Sequence, residues 1–182
     1  AAKMARTKKA YPLSAKYLKN ALRLLGPAKW KVNYDRSLEM HLFLIELYMA
    51  CGNNAEIETV VNDVSKNART LEDKLPAMLN KVIFLGSMCQ YAEAITYATS
   101  VVQLCGKSLP KNPGSLQIMI MLSSIRRLVA RLTDDDIVKL PVITDKKVKY
   151  LLELYSRVGS YATMMDRNSL RVWCSLRAVQ LS

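Results

Sequence analysis

The chain has 182 residues, 51% of them apolar, with 27 Lys and Arg against 15 Asp and Glu and a net charge of +12. That apolar share excludes a disordered chain, and the length suffices for one domain with a real core or for one block of a longer array. The longest stretch without a charge, Asn112 to Ile125, is too short to span a bilayer, so a soluble, cytoplasmic protein is expected.

The charge is unevenly placed. Nine basic residues (Lys3, Arg6, Lys8, Lys9, Lys16, Lys19, Arg23, Lys29, Lys31) and no acid fall within residues 1–31. The remaining 18 Lys and Arg face all 15 acids, a net of only +3. Cys51, Cys89, Cys105 and Cys174 stand far apart, without a C-x-x-C pair and with one His in the whole chain. Neither a zinc site nor a disulfide framework follows from that spacing, and buried thiols in a reducing compartment are expected instead. The chain opens on Ala1-Ala2 and stops at Leu181-Ser182 inside an apolar-periodic run. It reads as a piece of a larger polypeptide.

Residues 13–25 form an amphipathic helix, with Lys16, Lys19 and Arg23 on one face and Leu18, Ala21, Leu22 and Leu25 on the other. Pro12 suits the first turn and Gly26-Pro27 ends the segment. Trp30 lies in the connection that follows. From Tyr34 the chain writes one unit twice: residues 51–57 (CGNNAEI) align with residues 88–94 (MCQYAEA) at an offset of 37. Each polar turn has a long apolar-periodic segment before it and another after it, which is helix, turn, helix, repeated. In the first copy Leu38, Leu42, Ile45 and Met49 form a stripe widened by Leu44, Leu47 and Tyr48. Gly52-Asn53-Asn54 turns the chain with an asparagine cap, and Ile57, Val60, Val61 and Val64 carry the return. In the second copy Thr70 to Asp73 resembles a capping box, and Leu75, Met78, Leu79, Val82, Ile83 and Leu85 form the stripe, with Pro76 in an early turn. Ala92, Ala94, Ala98 and Thr99 then let two backbones approach closely.

Residues 115–132 are apolar nearly all round (Leu116, Ile118, Met119, Ile120, Met121, Leu122, Ile125, Leu128, Val129), which predicts a buried helix. Arg126, Arg127 and Arg131 place cations at its C-terminal end. Residues 133–136 cap a short helix that stops before Pro141. Thr144-Asp145 caps another, carrying Val148, Leu151, Leu152 and Leu154, and a last helix from Asn168 uses Leu170, Val172, Trp173, Leu176 and Val179. No segment alternates as a strand. The fold expected is all-α: a right-handed α-solenoid of antiparallel helical hairpins, degenerate and TPR-like. Residues 1–33 supply a basic amphipathic helix and its connection, residues 34–112 two hairpins, and residues 113–182 helices that continue the array in one continuous domain.

No constellation of residues carries chemistry, so no catalytic, cofactor-binding or metal-binding residue is assigned. Gly106-Lys107-Ser108 has the tail of a phosphate-binding loop, but Val101 stands where the pattern needs a glycine, and a helix precedes it instead of a strand. Residues 134–136 (DDD) lack the alternation and distal Glu of a calcium loop. His41 has no Asp, Glu or Cys at ligand spacing, and reads as a packed or solvent-edge histidine.

Residues 15–26 (AKYLKNALRLLG), Trp30 and residues 34–42 (YDRSLEMHL) resemble a known helical region. So do residues 90–95 (QYAEAI), Leu109-Pro110 and residues 140–145 (LPVITD), in the same order. It is the tetratricopeptide-like linker of large signalling proteins. There, a serine/threonine kinase-like domain and a STAND-type predicted ATPase precede the helical region, and GAF and histidine kinase modules, or another output domain, follow it. The resemblance implies a non-catalytic, regulatory scaffold that contacts protein partners or neighbouring domains of the same chain. The kinase and ATPase motifs themselves are missing from these 182 residues. A rival expectation is a basic helical-repeat protein that binds RNA or an anionic membrane through residues 1–31.

Overall fold

A computed structural model describes residues 10–130, 133, 136, 139 and 142–181. Nine helices and no strand occur among the described residues, so the fold is all-α. In chain order they are α1 (Tyr11–Leu24), the single-turn α2 (Lys29–Val32), α3 (Tyr34–Cys51), α4 (Asn54–Asn67) and α5 (Leu71–Ser87). Then follow α6 (Tyr91–Leu104), α7 (Ser115–Val129), α8 (Lys146–Met164) and α9 (Asn168–Leu181). The first nine residues, with Lys3, Arg6, Lys8 and Lys9, lie outside the described residues. So do Asp134 and Asp135, and most of the short helix expected before Pro141.

The chain divides into two compact units, one ending at Phe84 and the other beginning at Leu85, a boundary that falls within α5. In the first unit α3 packs against α1, α2 and α4. Its core joins Leu18 and Leu22 of α1, Leu44, Ile45, Leu47 and Tyr48 of α3, and Ile57, Val60, Val61 and Val64 of α4. In the second unit α8 packs against α6 and α9, and α9 also packs against α7. Ala94 and Ala98 of α6 and Leu151, Leu154, Tyr155, Val158 and Ala162 of α8 are buried there, with Leu170 and Cys174 of α9.

The connections show why these helices stop where they do. After α3, Gly52 has φ +67°; its N–H reaches the Met49 carbonyl (3.3 Å) and the Asn53 N–H reaches Tyr48 (3.0 Å). This is the Schellman arrangement, in which one left-handed residue lets two terminal carbonyls be satisfied. The same pair of bonds recurs after α5, where Cys89 has φ +59°, and after α6, where Gly106 has φ +73°. It recurs again after α8, where Asp166 has φ +54°. The expected offset of 37 therefore superposes two residues of one conformation, Gly52 and Cys89. The turn from Met165 to Arg167 has no glycine to announce it.

Several expectations are corrected. Of α7, only Met121 and Ile125 are buried, while Leu116, Met119, Ile120, Leu128 and Val129 are exposed. Cys89 is exposed at its turn, not buried. Asn53 occupies the N-cap of α4 without a side-chain capping bond. Val179 of α9 is exposed. Elsewhere Thr70 Oγ1 accepts the Asp73 N–H (3.1 Å), one half of the expected capping box, while the Asp73 carboxylate accepts from the Tyr34 hydroxyl. Asp145 caps as expected, accepting the N–H groups of Lys147 and Val148 at 2.7 and 3.3 Å.

Candidate functional site

Among the described residues, polar side chains converge around Asp63, on α4. Its carboxylate accepts from His41 Nε2 of α3 at 2.9 Å and from Asn67 Nδ2, one turn on, at 2.8 Å. Trp30 Nε1 and Lys29 Nζ, both of α2, stand 3.4 and 3.8 Å away. His41 and Asp63 lie at equal sequence distance on either side of Gly52, which is why an antiparallel hairpin sets them level. The Trp30 ring stacks on His41 (centroids 4.6 Å apart, planes at 30°) and tilts against Tyr34 at 6.1 Å. Tyr34 donates to Asp73 Oδ2 at 2.6 Å and accepts the Arg69 N–H at 2.8 Å, with the Arg69 guanidinium 4.0 Å above its ring. These bonds tie α2 and the start of α5 to the first hairpin.

His41 is buried, and its second nitrogen, Nδ1, meets the Ser37 carbonyl at 2.5 Å. A carbonyl and a carboxylate can only accept, so the neutral ring satisfies one of these contacts and the imidazolium both. Burial is the larger influence and pushes the His41 pKa below the ordinary imidazole range, against the pull of Ser37 and Asp63. Each nitrogen faces a protein oxygen, one at Ser37 and one at Asp63. The pairing of His and Asp here fastens helices together.

An open groove of about 450 Å³ runs beside this cluster, lined by Leu22, Leu44, Thr59, Asn62 and Lys66 together with His41 and Asp63. The thiols offer no nucleophile nearby: burial raises Cys51 and Cys105, and pushes Cys174 up to about 12. Among the described residues no group of three or more His, Cys, Asp or Glu is placed to hold a metal ion, and no helix is long and apolar enough to cross a membrane. Gly106 serves as a helix terminator, and Val101 is buried within α6. Asp136 is engaged with Thr133, each accepting the other's backbone N–H.

Two surfaces stand out for what they expose. On α7, Leu116, Met119 and Ile120 are 71%, 63% and 62% exposed and share one face with the exposed Arg126 and Arg127 close by. On α1, Leu13, Tyr17 and Leu24 are exposed beside Lys16 and Arg23. Sequence periodicity assigns α7 to the interior because apolar residues ring it completely, and only the partner helices decide which side is covered.

No protein-family model, no curated protein and no solved structure matches the chain.

Proposed function

We propose that this chain is a non-catalytic helical-repeat module of the tetratricopeptide-like kind, a right-handed stack of hairpins that joins protein surfaces within a multidomain signalling protein. The observation that carries this reading is the repeated connection. Residues 37 apart, Gly52 and Cys89, share one left-handed conformation and one pair of terminal hydrogen bonds, and the α8–α9 turn repeats it. Packing of α6 on α8 and of α7 on α9 adds support, since a helix that touches the helix two places along is how stacked hairpins bury a continuous core. The outward face of α7 is the contact surface. Its apolar stripe and neighbouring arginines complement an amphipathic helix that carries carboxylates beside its own apolar residues. Differences in how that helix docks would shift hairpin stacking and so reposition an output domain.

Extending the reading frame on both sides tests the setting. Kinase-like and STAND-type ATPase domains upstream with an output module downstream are expected, and a short frame that stands alone would undo it. The contact surface is tested inside that longer polypeptide. Leu116→Asp with Ile120→Asp should raise amide exchange in the docked helix while leaving α8 and α9 protected.

A further inference from the structure

Helix α1 has two apolar faces, and one of them packs against other described residues. Ser14, Ala15, Leu18 and Leu22 are buried, and α1 packs against α3. On the opposite side Leu13, Tyr17, Asn20 and Leu24 follow one another at spacings of four, three and four, which places them in a single outward stripe. Leu24 is 83% exposed, Leu13 45% and Tyr17 43%. Lys16 and Arg23 run along one margin of that stripe, both exposed. Lys19, further round, is engaged by Glu56 at 3.1 Å. The helix contains no acid, nor does any position from 1 to 31.

We infer that this outer face of α1 docks on the surface of a bilayer rich in anionic lipid, with Leu13, Tyr17 and Leu24 entering the headgroup–acyl boundary and Lys16 and Arg23 meeting lipid phosphates and carboxylates. The chemistry of the stripe selects this occupant. A phosphate backbone would use the cations but has no use for Leu13 and Leu24, and one tyrosine makes no stacking platform for bases. A partner helix carrying carboxylates could meet Lys16 and Arg23, but the exposed Asn20 interrupts the stripe between Tyr17 and Leu24 and leaves no continuous apolar seam for it. A bilayer asks for neither a groove nor a fixed array of partners. It takes up scattered apolar tips to a shallow depth, favours tyrosine at the headgroup level, and attracts cations through its surface potential. The opposite face of α1 is held in the protein core, so the helix cannot sink further and binding is peripheral and salt-sensitive.

The test uses the full chain and sedimentation with vesicles of phosphatidylcholine alone, or with about a third phosphatidylserine, at low and raised salt. Binding to the phosphatidylserine vesicles only, weakened by salt, is expected. Lys16→Glu with Arg23→Glu should weaken it by about 25-fold or more, since each cation near the surface contributes about five-fold. Leu13→Ser with Leu24→Ser should weaken it about ten-fold with all charges kept. Because these side chains point to solvent, thermal melting should be unchanged in both variants. Leu116→Ser with Ile120→Ser on α7 should bind vesicles as the parent chain does, so failure here is separable from failure of the α7 contact surface. Equal binding to both vesicle types, or no binding to either, overturns the inference. So does retention on a single-stranded RNA oligonucleotide that is indifferent to the leucine changes and exceeds vesicle binding.

Discussion

Around Asp63, in the unit ending at Phe84, four donors from three helices meet one carboxylate, and a stacked Trp30 and His41 cover it. Around Tyr161, in the unit beginning at Leu85, helices meet by close approach instead. Gly86 lies so near the Tyr161 ring that an added Cβ would overlap it, and Tyr91 stacks on the same ring at 5.6 Å. Both units use the same left-handed turn, yet around Asp63 helices are held by directed polar bonds and at the Gly86–Tyr161 contact by close packing. Tyr155, Arg167 and Gln180 also bond between elements elsewhere in the second unit. Polar bonds fix which helix meets which and tolerate small shifts in volume. Close packing is the reverse, indifferent to charge and intolerant of a methyl group. The two regions should therefore fail under different substitutions.

The largest expected loss is Asp63→Ala. It leaves His41 with one partner and the Trp30 N–H and Lys29 without theirs, and should cost about 3 kcal/mol, read by urea unfolding. Asp63→Asn, which keeps an acceptor, should recover roughly half of that. If both variants melt like the parent chain, the carboxylate is no hub. Acid should press on the same place. The His41 pKa is lower in the folded chain than in the unfolded one, so between those values the unfolded chain binds more protons and stability falls as pH falls. Unfolding followed from about pH 7 down to pH 5 should show this decline, and His41→Gln should flatten it. A stability that rises on acidification would mean that Asp63 and Ser37 outweigh burial.

Gly86→Ala should come next, at about 2 kcal/mol, because overpacking against a buried ring exceeds the helix propensity that alanine adds. The neighbour is a stacked tyrosine with little room to turn, not the free end of a flexible chain. Tyr161→Leu should relieve the clash, so that Gly86→Ala becomes neutral or stabilising in that background. Additive losses in the double variant would place the strain elsewhere.

The contrast also explains how much of the molecule is legible in its sequence. Apolar stripes such as Ile57, Val60, Val61 and Val64 name a helix and its inner face together, because burial by a hairpin partner needs only periodicity. The Asp63 hub is invisible to a search for ligands near His41 along the chain. Its signal is symmetry about Gly52, which is a property of the hairpin, not of any local motif. Helix α7 misleads for the converse reason: nine apolar residues around a cylinder do not say how many neighbours it has. Asp166 and Cys89 hide two turns, since a polar or small residue forced into left-handed backbone looks like any other residue in the sequence.

Those turns supply the finest distinction between the copies. At Gly52 the left-handed conformation is free of strain, and nothing stands within 4 Å of an added Cβ, so Gly52→Ala tests the backbone alone. Its cost should be about 1 kcal/mol. Cys89 already bears that cost, and the Tyr91 hydroxyl donates to its sulfur at 3.5 Å. Cys89→Gly should accordingly stabilise by about 0.5 kcal/mol, after allowing for the extra freedom glycine has when unfolded. If the two substitutions move melting temperature in opposite directions, the turns are one structural unit written with different residues. A loss at both positions would show that Cys89 contributes through its side chain, and that the second copy has a constraint the first does not share.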